Sequence, residues 1–265
     1  MGESEKKDKN LMKFLGTAGA RFVVARQLRY SGGTFLRLQG QNLMIDPGPG
    51  TLVRCARSRP KIDVTKLDAL LLTHAHIDHS NDVNILADAM MAGGFKKRGA
   101  LFCPSDCLEG EDRVVLNYIR PHLERIETLE AETSYSVGPV QFHTTIRHRH
   151  SVETYGLKFE VGDKVLAFMV DSEYFPELAE SYAEADILVI NVVRKYHPED
   201  RKIQHLSVDE ASEIIAAVKP EQAIITHFGM TMVKAKPWEV AQRMTDDLGI
   251  PVKAASDGMN YELPD

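Results

Sequence analysis

The stretch THAHIDHS, residues 73–80, decides the fold, and it directly follows the largely apolar run LDALLL at residues 67–72. The apolar run predicts a buried strand. Four residues of ligand type fall within six positions: His74, His76, Asp78 and His79. Imidazole nitrogens and carboxylates suit zinc and similar divalent ions, and alternate residues at a strand's end can direct two histidines to one ion. A histidine-rich surface loop is the alternative, but this spacing after a strand is rare by chance. The stretch therefore predicts a dinuclear metal site.

THAHIDHS matches the pattern HxHxDH and so resembles the signature of metallo-β-lactamase-fold hydrolases. The opening strand and glycine loop FLGTAGA (residues 14–20) and the turn IDPGPG (residues 45–50) resemble further landmarks, although each alone is a common type of turn. The resemblance covers nearly the whole chain. It implies an α/β fold, the four-layer αββα sandwich of the metallo-β-lactamase type. We expect this single domain over residues 12–265, after a charged and disordered lead-in at residues 1–11.

Two further ligand candidates stand where apolar strands end. Asp171 follows KVLAFMV (residues 164–170), and His227 follows AIIT (residues 223–226). Alone, Asp171 would be interpreted as a helix cap and His227 as a core histidine. The resemblance instead makes both of them metal ligands, and it makes Asp46 a residue that supports the ligands by hydrogen bonds without binding metal.

The segment RHRHS offers two histidines, His148 and His150, for the remaining ligand position. We choose His150 because HS followed by YGLKF resembles the family's third motif, and His148 stays the alternative. The resemblance then assigns three groups of ligands: His74, His76 and His150 for one ion, Asp78, His79 and His227 for the other, and Asp171 as the bridge. Zinc is the expected metal, with manganese or iron as alternatives.

His205, in the segment IQHLSVDEA, lies 22 residues before His227. This placement resembles the extra histidine of the tRNase Z and small-phosphodiesterase branch, where it contacts the phosphate or donates the leaving-group proton. A histidine on the surface before a helix is the alternative. With a dinuclear centre that activates water, the resemblance implies hydrolysis of a small nucleotide-like or sugar-phosphate diester. His205 and Asp78 are then the catalytic candidates, and Arg147 and Arg149 are candidate contacts for the substrate anion.

Three other functions stay open. A thioester or lactone hydrolase of the glyoxalase II or lactonase kind would use the same metals on a different bond. A tRNA 3′-processing endonuclease is disfavoured because the short spacing between His150 and Asp171 leaves no room for a long exosite arm. A non-catalytic metal-binding scaffold is disfavoured by the complete set of ligands. The bridging aspartate, in place of the cysteine of many true β-lactamases, points away from antibiotic hydrolysis.

Composition limits the remaining classes. The formal net charge of −6 opposes a stable complex with nucleic acid. The chain has no apolar run near the roughly 20 residues that span a bilayer, and no signal peptide is visible, so we expect a soluble cytoplasmic protein without membrane contact. The resemblance also allows a homodimer. Cys103 and Cys107 are expected to be packed thiols, because two sulfurs without further ligands make a poor zinc site.

Apolar patterning predicts alternating strands and helices, which is typical of a layered α/β fold. The helix from Ser207 has a capping box with Glu210, and the last helix has Pro237 in its first turn. Helices are predicted at residues 82–91, 113–120, 207–218 and 237–248. Strands are predicted at residues 35–38, 42–46, 67–73, 140–146, 155–160, 164–170, 186–192, 223–226 and 252–255.

Overall fold

A computed structural model describes residues 9–19, 21–198 and 203–264 of the chain. Within them the strands are β1 (Leu11–Phe14), β2 (Thr34–Leu38), β3 (Gln41–Ile45), β4 (Ala69–Leu71), β5 (Ala100–Cys103), β6 (Arg125–Thr128), β7 (Ser134–Val137), β8 (Val140–Arg147), β9 (Tyr155–Val161), β10 (Lys164–Met169), β11 (Ile187–Asn191), β12 (Gln222–Thr226), β13 (Val252–Ala254) and β14 (Asn260–Glu262). The helices are α1 (Arg21–Ala25), α2 (Thr51–Arg57), α3 (Ile77–Ser80), α4 (Val83–Met90), α5 (Pro176–Glu180), α6 (Val208–Val218), α7 (Met230–Lys234) and α8 (Pro237–Leu248). Short 3-10 turns lie at Val64–Lys66, Ser105–Cys107 and Arg120–His122.

The strands form two sheets of seven, in the orders β14-β1-β2-β3-β4-β5-β6 and β13-β12-β11-β10-β9-β8-β7. Each sheet has an antiparallel part and a parallel part. Strands β3, β4, β5 and β6 run parallel in the first sheet, and β10, β11, β12 and β13 run parallel in the second. Parallel neighbours end at the same edge of a sheet, so the loops that follow them collect in one region.

The two sheets pack face to face around one apolar core that both supply, including Phe14 and Phe102 from the first sheet and Phe142 and Phe159 from the second. Helices cover the outer faces: α4 packs in the cluster outside the first sheet, and α6 and α8 pack outside the second. The buried residues of α6 follow helical spacing: Ala211, Ile214, Ile215 and Val218. The expected four-layer αββα sandwich is confirmed.

Both predicted helix starts are confirmed. The Ser207 side chain accepts a hydrogen bond from the backbone N–H of Glu210, whose carboxylate accepts one from the backbone N–H of Ser207. Pro237 occupies the first turn of α8. The predicted helix over residues 82–91 is also present as α4, one residue shorter at each end.

The predicted helix over residues 113–120 is wrong, because this segment is a loop ending in a 3-10 turn. Val115 and Ile119 are buried, as their helical spacing suggested. However, the backbone groups of the segment bond to other parts of the chain. Asn84 of α4 donates to the carbonyl of Val114 and accepts from the N–H of Leu116. Pro121 follows, and it has no N–H for a helical bond.

Other boundaries differ more modestly. The predicted strand at residues 67–73 is reduced to β4, and the short strands β5, β6 and β7 were not predicted. Leu11, assigned to the lead-in, is the first residue of β1, and the Asn10 side chain donates to the Pro264 carbonyl. Residues 1–8 of the lead-in lie outside the described residues. Within the described ranges, no helix combines the length and apolar character that crossing a membrane requires.

The packing between the sheets gives a test of stability. The Phe142 ring is fully buried and lies 5.0 Å from the Phe102 ring, between centroids, and near Tyr135 and Phe159. We expect Phe142→Ala to lower the free energy of unfolding by about 3–5 kcal/mol in urea denaturation, because it leaves a cavity between the sheets. Phe95→Ala is the control, since that ring is 94% exposed and its loss should change stability by less than about 0.5 kcal/mol. Equal effects of the two changes would contradict this account of the core.

Candidate metal centre

The predicted ligands meet where strands of the two sheets end. His74 and His76 follow β4, and α3 begins directly afterwards, so it carries Asp78 and His79. Asp171 follows β10 and His227 directly follows β12. The rigid strands thus fix the start of each loop, and the loops bring the side chains together.

One cluster consists of His74, His76 and His150, each with one ring nitrogen within 4.8 Å of the others. His76 Nδ1 and His150 Nε2 are 3.0 Å apart. In a tetrahedral zinc site with Zn–N distances of about 2.0 Å, two ligand nitrogens lie about 3.3 Å apart. The separation of these nitrogens therefore fits ligands of one small cation.

The second cluster consists of Asp78, His79 and His227. His79 Nε2 lies 3.3 Å from His227 Nε2, and Asp78 Oδ2 lies 3.7 Å from His227 Nε2 and 3.9 Å from His79 Nε2. One carboxylate oxygen and two nitrogens converge here, a donor set that zinc, manganese and iron all accept.

Asp171 lies between the two clusters. Its Oδ2 is 3.9 Å from His74 Nε2, which belongs to the first cluster, and 3.5 Å from both His79 Nε2 and His227 Nε2, which belong to the second. One oxygen within 4 Å of nitrogens from both clusters has the placement that a bridging ligand requires. The other oxygen, Oδ1, accepts a hydrogen bond from the Asn191 amide at 2.9 Å.

The protonation of the first cluster suits metal binding, which needs neutral imidazoles. Burial is the main cause that lowers the pKa of each of its histidines, well below the usual range for His74 and to about 4 for His150. In addition, His74 Nε2 is buried without a hydrogen-bond partner among the described residues. A buried polar atom without a partner is costly, and a cation at the cluster would supply the missing contact. The residues present therefore fit two divalent ions.

The second cluster is more polar. Burial lowers the pKa of His79, but the carboxylates of Asp46 and Asp78 outweigh it and raise that pKa well above its usual value. Burial likewise raises the pKa of Asp171, but His227 and His205 outweigh it and hold the pKa well below the usual value. The protein groups alone thus place strongly interacting charges around the Asp171 carboxylate.

Asp46 orients two of the histidines. Its carboxylate accepts from His79 Nδ1 at 2.9 Å and from both the backbone N–H and the hydroxyl of Thr73 at 2.7 Å. Because the Thr73 hydroxyl donates to Asp46, it accepts from His74 Nδ1 at 3.0 Å. The lone pairs at Nε2 of His74 and His79 are therefore directed at the clusters. Asp46 could also hold an ion with His74 and His79, but these bonds already engage both of its oxygens.

The structure brings His150 to the first cluster and turns His148 away from it. His148 is buried, and its Nε2 lies 2.9 Å from the Tyr182 hydroxyl and its Nδ1 3.2 Å from the Asp171 carbonyl. His150 donates instead from Nδ1 to the Gln204 carbonyl at 3.1 Å, which leaves Nε2 toward His76. Two histidines two positions apart thus have separate tasks, packing and candidate ligation.

The two glycine loops pack against the backbone of candidate ligands. A Cβ added to Gly19 would lie 2.1 Å from the His227 carbonyl oxygen, and one added to Gly48 would lie 2.0 Å from that of Asp78. Only glycine permits such a close approach. Ala20, the last residue of the first loop, lies outside the described residues.

His205 lies beside the centre, with Nδ1 3.5 Å from Asp171 Oδ2 and 23% of its side chain exposed. Burial lowers its pKa, but the Asp171 carboxylate outweighs this and raises the pKa above the usual value. A histidine that is protonated, partly exposed and next to the shared carboxylate can donate a proton to a bound group.

The arginines face elsewhere. The Arg149 guanidinium stacks on the Phe175 ring at 4.2 Å and pairs with Glu177 at 3.8 Å. Arg147, in the last position of β8, interacts electrostatically with Glu153. Their contact with a substrate anion stays a prediction. Cys103 and Cys107 are buried free thiols of the outer core, and the metal clusters found among the described residues contain neither.

Sequence reasoning missed Asn191 and Thr73, which hold Asp171 and Asp46. Asn191 is the last residue of β11, the polar end of the run ILVIN, so it shares the strand-end position of the candidate ligands. That position was its signal in the sequence. Its task became visible only when the structure placed β10 beside β11.

Comparison with known proteins agrees with this geometry. The family model described as Beta-lactamase superfamily domain matches residues 41–228. The chain belongs to this family. It is 31% identical over 261 residues to the uncharacterized protein MJ1374 of Methanocaldococcus jannaschii, with 94% of each chain covered. Members of this fold family are metallo-hydrolases that bind a dinuclear metal site, and this chain is a metallo-β-lactamase-fold metallo-hydrolase.

Two solved structures are similar over nearly the full chain. The metallo-β-lactamase-fold protein YhfI of Bacillus subtilis has a TM-score of 0.76 and 18% identity, covering 97% of this chain and 100% of its own. A diphosphatase of the PhnP family has a TM-score of 0.69 and 20% identity, covering 96% and 97%. At these identities the likeness concerns the fold alone.

The contrast between His148 and His150 gives a test of the centre. We expect the wild-type protein, loaded with zinc and dialysed, to hold about two ions per chain by elemental analysis. His150→Asn should hold about one, because the first cluster loses a nitrogen ligand. His148→Asn is the matched control and should keep both ions while lowering stability, because its imidazole bonds lie in the core. Loss of metal from His148→Asn alone would contradict the assignment.

Proposed function

We propose that this metallo-hydrolase is a phosphodiesterase that acts on a small nucleotide-like or sugar-phosphate diester. In this proposal His74, His76 and His150 hold one divalent ion, Asp78, His79 and His227 hold the other, and Asp171 lies between them. The observation that carries the proposal is the position of His205, whose ring nitrogen is 3.5 Å from the Asp171 oxygen shared by both clusters.

Two bound ions would lower the pKa of a water molecule held between them and neutralise charge on the attacked phosphoryl group. The protein supplies the remaining requirements. Asp46 and the Gln204 carbonyl fix the orientation of the ligand histidines through their second ring nitrogens. Asp78 lies on the open side of the second cluster, with 21% of its side chain exposed, where a substrate would approach.

A phosphodiester needs a proton on the oxygen that leaves. His205 can provide it, because Asp171 raises the pKa of its ring and because part of the side chain is exposed. General acid catalysis of this kind typically contributes about 10²–10⁴-fold to the rate. A thioester or lactone needs less help, since its leaving group is a weaker base or stays attached. The position of His205 therefore favours phosphoryl over acyl substrates.

The similarity to the PhnP-family diphosphatase supports a phosphoryl substrate for this chain. The net charge of −6 and the engagement of Arg149 with Phe175 and Glu177 favour a small substrate over a long polyanion such as tRNA. Zinc is the metal we propose, because five of the six cluster ligands are histidines.

The proposal is tested with bis(p-nitrophenyl) phosphate, a diester with phenyl leaving groups of higher pKa, and p-nitrophenyl acetate, using the zinc-loaded protein. We expect His205→Ala to lower kcat on the diesters by about 10²–10⁴-fold, most for the poorer leaving group, and to change acetate hydrolysis little. Asp171→Ala should abolish both activities, because it removes the group between the two ions.

His143→Ala is the matched control. His143 also pairs with a carboxylate, Glu160, at 3.0 Å, but it lies on β8 at a partly exposed position away from the clusters. This variant should keep full activity on all three substrates. Hydrolysis of the acetate alone, unaffected by His205→Ala, would overturn the proposal in favour of an acyl hydrolase. Two bound ions without activity on any substrate would instead favour a scaffold.

A further inference from the structure

The carboxylate of Glu210 does more than close a capping box. Its Oε2 accepts hydrogen bonds from the backbone N–H of Ser207 at 2.8 Å and from the Ser207 hydroxyl at 2.9 Å. The same oxygen lies 2.7 Å from His197 Nε2, which is also within ion-pair distance. A capping box requires only the contacts with Ser207, so the bond to His197 is an additional one.

Through these bonds Glu210 joins two points of the chain that precede α6. Ser207 directly follows His205 and Leu206, whereas His197 lies ten residues before Ser207. Leu206 is buried, and its carbonyl accepts from the Arg194 N–H at 3.3 Å. The segment Gln204 to Ser207 is therefore held on one side by α6 and on the other by the chain around residues 194–197.

This segment makes both of its contacts with the metal centre through adjacent residues. The Gln204 carbonyl accepts from His150 Nδ1 at 3.1 Å, and His205 Nδ1 lies 3.5 Å from Asp171 Oδ2. The carbonyl fixes which nitrogen of His150 faces the first cluster. A shift of the segment would therefore disturb a ligand histidine and the proposed proton donor together.

We propose that Glu210 is a positioning residue, which through Ser207 and His197 holds Gln204 against His150 and His205 against Asp171. The part that concerns His205 rests on the proposed function, whereas the part that concerns His150 rests on the metal centre alone. Glu210 does not contact either cluster, so it acts through the segment and not on the substrate.

The tested variants are Glu210→Ala, which removes all three bonds, and His197→Ala, which removes only the bond outside the capping box. Glu210→Gln is the conservative variant, because its single amide oxygen can still accept where Oε2 does. Asp209→Ala is the matched control: it removes an exposed acidic residue from the same first turn of α6, so it reproduces the loss of charge near the helix N-terminus.

The first readout is zinc affinity, measured by competition with a chromophoric chelator. We expect Glu210→Ala to weaken the binding of one of the two ions by about 10- to 100-fold, the usual effect of losing support for a ligand histidine. His197→Ala should weaken it in the same direction, whereas Glu210→Gln and Asp209→Ala should stay within about threefold of the wild type. Equal affinities for Glu210→Ala and Asp209→Ala would overturn the proposal and leave Glu210 as a helix cap only.

The second readout is the dependence of kcat on the leaving group, measured with the same series of phenyl diesters at saturating zinc. We expect Glu210→Ala to lower kcat more for poor leaving groups, as His205→Ala does, and to have no further effect on that dependence when combined with His205→Ala. A loss that is equal for all leaving groups, or additive with His205→Ala, would overturn the link to His205. If the wild-type protein hydrolyses no diester, the proposed function fails, and the zinc affinities still decide whether Glu210 supports His150.

Discussion

The buried carboxylate of Asp171 is the group on which the arrangement of the centre depends. Only 2% of its side chain is exposed, yet Oδ2 lies within 4 Å of ring nitrogens of four histidines: His74, His79, His205 and His227. Burying a charged carboxylate is costly unless opposite charges and hydrogen-bond donors surround it. The histidines and the Asn191 amide meet that need in the protein, and bound cations would meet it further. Because His74 comes from the first sheet and the others from the second, one carboxylate links loops from both halves of the sandwich.

The backbone at the centre carries strain that the surrounding fold must hold in place. Asp46 and His227 both have positive φ values, 48° and 59°, in the left-handed region that residues other than glycine rarely adopt. Both stand directly after a parallel strand, where the chain must turn sharply to present its side chain. The loops that carry Gly19 and Gly48 pack closely against these turns and support them. Such conformations cost of order 1–3 kcal/mol each and are typical of functional sites. The glycine loops that resemble family landmarks thus have a physical task, which is to brace the turns that carry the candidate ligands.

Much of the fold could be predicted from sequence, and the reasons are local. The strands β10, β11 and β12 are uninterrupted apolar runs, and the start of α6 has its own hydrogen-bond pattern in Ser207 and Glu210, so a short window contains the information. The segment at residues 113–120 has the same apolar spacing as a helix, but its backbone partners include Asn84, some thirty residues away. No local pattern can show that competition. The contacts of Asn191 with Asp171 and of Glu210 with His197 have the same origin, because each depends on which elements become neighbours in space. The histidines His148 and His150 needed the structure for a further reason: alternation along the chain does not specify which of two equivalent positions faces the centre.

The distribution of positive charge narrows the kind of substrate that this centre suits. Arg149, adjacent in sequence to His150, is held over Phe175 and beside Glu177, so its charge is partly neutralised within the protein. Basic residues that stay free to move would favour long polyanions, because binding would then gain from each phosphate neutralised. Here the positive charge that a phosphoryl group would meet is concentrated at the centre itself, in the proposed ions and in His205. An anion small enough to lie entirely within reach of that charge gains the full attraction. A longer polyanion would gain nothing more from its remaining phosphates, and the net negative charge of the protein would repel them. The same fold can therefore serve small and large phosphodiesters, and the groups outside the metal clusters decide between them.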